Sequence, residues 1–252
     1  MLQCVRRRIF RVAEIATSLI NRVTGALYPR CRGVVVMFHH VSNEPLHDIS
    51  PSCKCTIEEF SDILAFIKDD VVSLDDMLLS VRANDYNGRY YVVTFDDVAE
   101  DFYHNAFPRL SAANIPFTIY VTFNYIGKEG YLTLSQLLEI AKSPLATIGV
   151  HTMTHPKLRD KGVDLYEEVI RSRNKLSSLI RSQVRHFAYP YGTIHAINSR
   201  VVNFTSKAGF DSATTTMEGY INPYTARNVH RLPRVHNRLF VSKYMTEGKG
   251  NL

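Results

Sequence analysis

From residue 33 onward, short apolar runs rich in β-branched residues alternate with longer stretches whose apolar positions recur every three or four residues. Residues 33–38 (GVVVMF), 90–95 (YYVVTF), 116–122 (PFTIYVT), 146–151 (ATIGVH) and 186–189 (HFAY) read as strands, with shorter ones near 210–215 and 230–235. Between them the periodicity predicts a helix over 56–70, with Thr56 as N-cap and Glu59 three residues later. Further helices are expected to end near Asn114, to span 134–141, and to run over 163–180 with Tyr166, Val169, Ile170 and Leu176 on one side. A last one covers 194–208 and stops at Gly209. Strands that each lead into a helix imply a parallel sheet, and about seven of them suggest a barrel. No Pro- or Ser-rich linker interrupts residues 33–252, which are read as one α/β domain.

The preceding segment has a different pattern. Residues 5–28 form an amphipathic helix on paper: Ile9, Val12, Ala16, Leu19, Ile20, Val23 and Leu27 make one apolar stripe, opposite Arg7, Arg8, Arg11, Ser18 and Arg22. Arg11 and Glu14 interrupt it too early for the apolar core of a cleavable secretory signal, and it is too polar to span a bilayer. Two readings remain: the stripe packs on the domain, or it lies on an anionic membrane surface. The expected location is cytoplasmic, with the inner face of the membrane as the second reading.

Charge sharpens this division. The 252 residues carry a formal +6, and residues 1–32 hold seven Arg against Glu14 alone, so residues 33–252 balance at zero. A neutral body with no basic stripe argues against nucleic-acid binding. Hydrophobic residues at 45% and charged residues at 21% are those of a packed globule. Cys4, Cys31, Cys53 and Cys55 contain no C-x-x-C pair, and reduced thiols are expected.

The polar clusters fall where this architecture builds sites. FHH (38–40), FDD (95–97), HTMTH (151–155), YPYG (189–192) and PRVH (233–236) each sit at the C-terminal end of an expected strand. Asp96 and Asp97, adjacent after an apolar strand, point to opposite sides and can hold different roles in one pocket. His151 and His155 have a spacing that suits a metal on one helix face, while Thr154 and Pro156 also permit a tight turn that joins the two imidazoles. One carboxylate with two imidazoles leaves coordination positions open, as catalytic metals require; zinc is the default, and cobalt, nickel or iron tolerate the same donors.

The strings TFDDVAEDFYHNAFPRL, IPFTIYVT, IGVHTMTHPKL, FAYPYG and RLPRV, in this order, resemble the polysaccharide deacetylase family, also called the NodB homology domain or carbohydrate esterase family four. The resemblance runs from Val34 to Val235. It implies a distorted (β/α)7-type barrel that hydrolyses an N-acetyl group from a sugar of a surface glycan or its lipid-linked precursor. Residue by residue, it implies Asp97, His151 and His155 as metal ligands and Asp96 as general base. It also implies Tyr191 as the residue whose backbone N–H helps hold the oxyanion, its ring an alternative pocket wall, with Pro190 and Gly192 shaping that turn. His40, where the family often ends the first strand in Tyr-His, is expected to line the rim and orient a ligand, with simple packing as the other reading.

The departures are specific. Val98 stands where the family has Gly, and a β-branched residue resists positive φ, so that turn is expected to differ or not to need positive φ at all. Ala188 replaces the Arg that usually partners the base, with Arg234 as a substitute from the facing strand. The Leu-x-His that supplies the acid is absent in clean form, leaving His236 as the candidate and His230 as the fallback. His104, His186 and His195 are read as structural. Two competing functions keep the same site: hydrolysis of another C–N amide, or a degenerate homologue that binds carbohydrate without catalysis.

Overall fold

The structure is a computed structural model that describes Val23 and residues 31–44, 53–86 and 88–245. The expected helix over 5–28 therefore lies outside the described residues, Val23 excepted. Among the described residues no helix is long and apolar enough to cross a membrane.

Strands β1 (Cys31–Phe38), β4 (Gly88–Asp97), β5 (Phe117–Val121), β6 (Ala146–Val150), β7 (His186–Ala188), β8 (Ser212–Thr214) and β9 (Val235–His236) form one sheet in the order β8-β7-β6-β5-β4-β1-β9. Every pairing is parallel, and β1 matches β4 from Cys31 opposite Gly88 to Phe38 opposite Phe95. Two further strands, β2 (His40–Val41) and β3 (Lys54–Cys55), pair with each other. The sheet curls on itself, and one short segment joins its edges. Leu232 donates to the Ala213 carbonyl and accepts from the Thr215 N–H, both at 2.9 Å, and Val235 then pairs with Val36. This is the distorted (β/α)7 barrel the sequence implied.

Period-two alternation sorts the strand side chains into two layers. Val34, Val36, Phe38, Val93, Phe95, Phe117 and Ile119 join the outer core, against Phe60, Ile63, Leu64 and Ile67 of helix α1 (Ile57–Ile67). A second core gathers Val35, Val92, Tyr120, Ala188 and Leu232 around Leu74, Met77, Leu78 and Val81 of helix α2 (Leu74–Arg82). This helix, not foreseen from the sequence, is capped by Ser73 and lies at the N-terminal end of the strands. There Asp75 contacts Arg185 and His186, at 2.5 and 3.1 Å.

Helices α3 (Phe107–Ala112), α4 (Leu134–Ile140), α5 (Ser172–Ile180) and α6 (Ser199–Lys207) cover the outside. Two depart from expectation. The stretch expected over 163–180 opens with a π-helical turn, Tyr166–Arg171, before α5. Helix α6 begins at Ser199 because Asn198, in extended backbone, caps it through the Val201 N–H.

Candidate metal centre and active site

The C-terminal rim is built on backbone that most residues avoid. Asp97 (φ 62°), Val98 (57°), Thr152 (70°), His155 (64°) and Tyr191 (59°) all have positive φ. Such residues cost about 1–3 kcal/mol each and persist where the surroundings over-determine them. The expectation that Val98 would give this turn a different shape is thus corrected. The Val98 N–H closes a tight turn on the Asp96 carbonyl at 2.6 Å, and the Val98 side chain, 2% exposed, is held by the core. Burial pins a β-branched residue in the conformation usually left to Gly.

The same turn separates the two aspartates. Asp96 follows Val92 and Thr94 on the inner face and is fully buried. Arg234, on the segment that closes the barrel, donates Nη1 to Asp96 Oδ1 at 2.7 Å and Nη2 to Oδ2 at 2.5 Å, and its Nε to the Thr215 carbonyl at 2.8 Å. Burial alone would raise the Asp96 pKa, but Arg234 and His151 oppose it and hold the carboxyl well below the usual carboxylate range. Arg234 also stacks over the Tyr120 ring, 5.6 Å from its centroid. That ring occupies the space beside Gly149, where a Cβ would lie 2.5 Å from it.

Asp97 leaves the strand at positive φ and faces the two histidines. Its Oδ1 lies 3.2 Å from His155 Nε2 and 3.7 Å from His151 Nε2, yet it is buried without a hydrogen bond. His151 Nδ1 is 2.7 Å from the Ala188 carbonyl. A carbonyl only accepts, so Nδ1 carries the proton and Nε2 turns its lone pair toward Asp97. One donor atom from each of Asp97, His151 and His155 lies within 4.8 Å of the others. Ligand atoms about 2.1 Å from a tetrahedral zinc stand about 3.4 Å apart, so two ring nitrogens beside an orphaned carboxylate oxygen fit a cation. Burial and His151 push the His155 pKa down to about 4, which keeps this imidazole neutral.

The two histidines are joined by a turn and do not share a helix face. Glu168, buried on the π-helical turn, accepts from the N–H groups of Met153 and Thr154, both at 3.0 Å, and from the Thr154 hydroxyl at 2.7 Å. The His155 N–H donates to Thr152 Oγ1 at 3.0 Å. Nothing in the residue spacing singled out Glu168, because its partners are backbone groups.

Other expected residues are distributed unevenly. Tyr191 is half-exposed, its ring 4.8 Å from that of His155, while Pro190 is buried. Gly192 (φ 52°) lies so close to Thr216 that a Cβ would sit 2.3 Å from its nitrogen. The Tyr125 ring lies 6.0 Å from that of His155 and 4.5 Å from that of Tyr131, and Lys157 lies over Tyr191 at 5.3 Å. His236 is half-buried, and burial pushes its pKa down to about 4. His230 is held away by the Phe210 carbonyl at 2.8 Å.

His40 and its neighbour His39 are placed differently. Its Nδ1 is engaged by Asp101 Oδ2 at 3.0 Å, whereas His39 lies within the fields of Asp96, Asp97, Arg234 and His151. Alternation along β1, with Val35 inward and Phe38 outward, would have selected His39. His186 is structural as read, bonded to Asp75 and Ser212.

Comparison with known proteins agrees with this arrangement. The model of the family described as polysaccharide deacetylase matches residues 83–213. YxkH of Bacillus subtilis is 23% identical over 190 residues, 73% of this chain and 64% of the relative. The poly-beta-1,6-N-acetyl-D-glucosamine N-deacetylase of Staphylococcus epidermidis is 26% identical over 235 residues, 82% of this chain and 80% of the relative. Against BA0330 of Bacillus anthracis the TM-score is 0.70 at 25% identity, over 84% of this chain and 68% of that one. The chain thus spans about two thirds of YxkH and four fifths of the staphylococcal enzyme. With the matched residues running from β4 through the Asp96–Asp97 turn and both histidines to β8, the chain belongs to the polysaccharide deacetylase family.

Proposed function

We propose that this protein is a zinc-dependent N-deacetylase of a polymer of N-acetylglucosamine, the substrate named for its staphylococcal relative. The observation that carries the reading is the orphaned Asp97 Oδ1 beside the Nε2 atoms of two histidines, one residue from the buried Asp96. A divalent cation held by Asp97, His151 and His155 supplies the charge that acidifies water and polarises the acetamide carbonyl.

The chain's own residues do the rest. Arg234 takes one lone pair from each Asp96 oxygen and fixes the carboxylate, leaving acceptor capacity for the proton of the attacking water. The Tyr191 N–H faces the developing oxyanion. Tyr125, Tyr131 and Tyr191 give the rim aromatic faces suited to a sugar ring. His236, kept neutral by burial, takes up a proton and passes it to the leaving amine. Contact of residues 5–28 with the inner face of the membrane belongs to this proposal and rests on the sequence alone.

The test is acetate release from β-1,6-linked N-acetylglucosamine oligosaccharides by zinc-loaded protein. Release that a chelator stops and zinc restores, and that Asp97→Ala abolishes, is the expected result. Failure of the loaded wild type on every N-acetylated glycan tried sinks the reading.

A further inference from the structure

A second group of metal-binding donors lies at the same rim. Strands β2 and β3 pair with His40 opposite Lys54 and Val41 opposite Cys55, and the same register carried back one residue sets His39 beside Cys53. On the other flank β9 places His236 opposite Met37, and the His39 and His236 rings stack with centroids 6.0 Å apart and planes 28° apart. One donor atom from each of His39, Cys53 and His236 consequently lies within 4.8 Å of the other two. The three come from separate segments, joined only by the barrel and its small flanking sheet.

The chemistry of this group differs from that of the first. It contains no carboxylate: two imidazoles and a sulfur form a softer donor set, suited to zinc and its thiophilic neighbours over magnesium or calcium. His39 Nδ1 is buried without a hydrogen-bond partner, a cost a native site bears when something else completes it.

We propose that His39, Cys53 and His236 form a second metal site, separate from Asp97, His151 and His155, that takes a zinc-class divalent ion. On binding, the Cys53 thiol gives its proton to solvent and the thiolate joins two neutral imidazoles, with a further position left for water. This site withdraws the His236 lone pair, so its filling opposes proton delivery to the leaving amine. Zinc then supports turnover through the first site and suppresses it through the second, a consequence that rests on the deacetylase reading above.

The experiment counts zinc first and measures activity second. Wild-type protein equilibrated with excess zinc, then freed of unbound ion, should retain two ions per chain by elemental analysis, and Cys53→Ala and Asp97→Ala one each. Cobalt in place of zinc should give a sulfur-to-metal charge-transfer band in wild type and Asp97→Ala that Cys53→Ala lacks. One ion in the wild type, or two in a well-folded Cys53→Ala by circular dichroism, overturns the proposal even if deacetylation is established. Should the protein hydrolyse no glycan, the zinc count still decides the second site. Where acetate release is seen, inhibition by excess zinc should need about tenfold more zinc in Cys53→Ala, by analogy with the loss on removing metal-site partners, with unchanged turnover at low zinc. Equal inhibition of both proteins overturns the regulatory consequence.

Discussion

Arg234 meets Asp96 through both of its terminal nitrogens, at 2.7 and 2.5 Å, across 138 residues of chain. Neither side chain is more than 1% exposed. The arginine arrives on the segment that bridges β8 and β1, so closing the barrel and neutralising the buried carboxylate are one structural event. Ala188, where the family usually carries the partner of this aspartate, instead offers its carbonyl to His151.

That relationship predicts an asymmetric cost. Removing one member of a buried pair strands the other charge, so Arg234→Ala should lower the free energy of unfolding by about 3–5 kcal/mol. Arg234→Lys should recover only part, because a single ammonium does not span two carboxylate oxygens as the guanidinium fork does. Urea titrations measure both. An Arg234→Ala loss under about 1 kcal/mol would mean the pair contributes as little as a solvated one.

Val98 sets backbone strain against packing. Relief of the left-handed conformation gains about 1–2 kcal/mol, whereas losing a buried Val side chain costs about 1.5–3 kcal/mol. Val98→Gly should therefore destabilise by about 1 kcal/mol, and Val98→Ala, which loses packing and keeps the strain, by more. Thermal melts that rank Ala at or above Gly would show that the turn is not strained at this position.

Glu168 touches no proposed ligand, yet it fixes the backbone of the turn between His151 and His155. Glu168→Ala should weaken zinc binding at the Asp97 site by about 10–100-fold, the range for residues that orient ligands. Calorimetric titration of folded protein reads this directly. An unchanged affinity would show that the ligands hold the turn by themselves.

At the opposite end of the barrel, the Asp75 carboxyl is lowered by its hydrogen bond to His186, with partial burial opposing and Arg185 assisting. A carboxylate with a depressed folded pKa adds stability that is present above its unfolded value, about 3.9, and is lost as pH falls through the folded one. Asp75→Asn should therefore unfold at lower urea than wild type at pH 7, with the two converging as pH falls below that window. A gap that persists in acid would assign the loss to packing.

Much of the rim was legible because strands end where chemistry begins. Runs of β-branched residues mark β1, β4, β5 and β6, and polar residues just after them mark the C-terminal face, which brought Asp96, Asp97, His151 and His155 together as candidates. Other features carry no local signal. Helix α2 hides in a stretch of mixed polarity and is settled by packing its Leu74, Met77 and Leu78 against the inner core. Glu168 acts through backbone groups, and His39 differs from His40 only in which side of the strand it faces. The amino-acid order determined the elements, the layer alternation and the donor types, because periodicity and propensity are local. Arg234 was already legible as a partner for Asp96, and the structure adds its two-pronged geometry; tertiary structure alone decided that Val98 accepts positive φ and that Cys53 stands beside His39. Each depends on contacts between segments far apart in the chain, where burial multiplies the strength of every charge and the cost of every unpaired one.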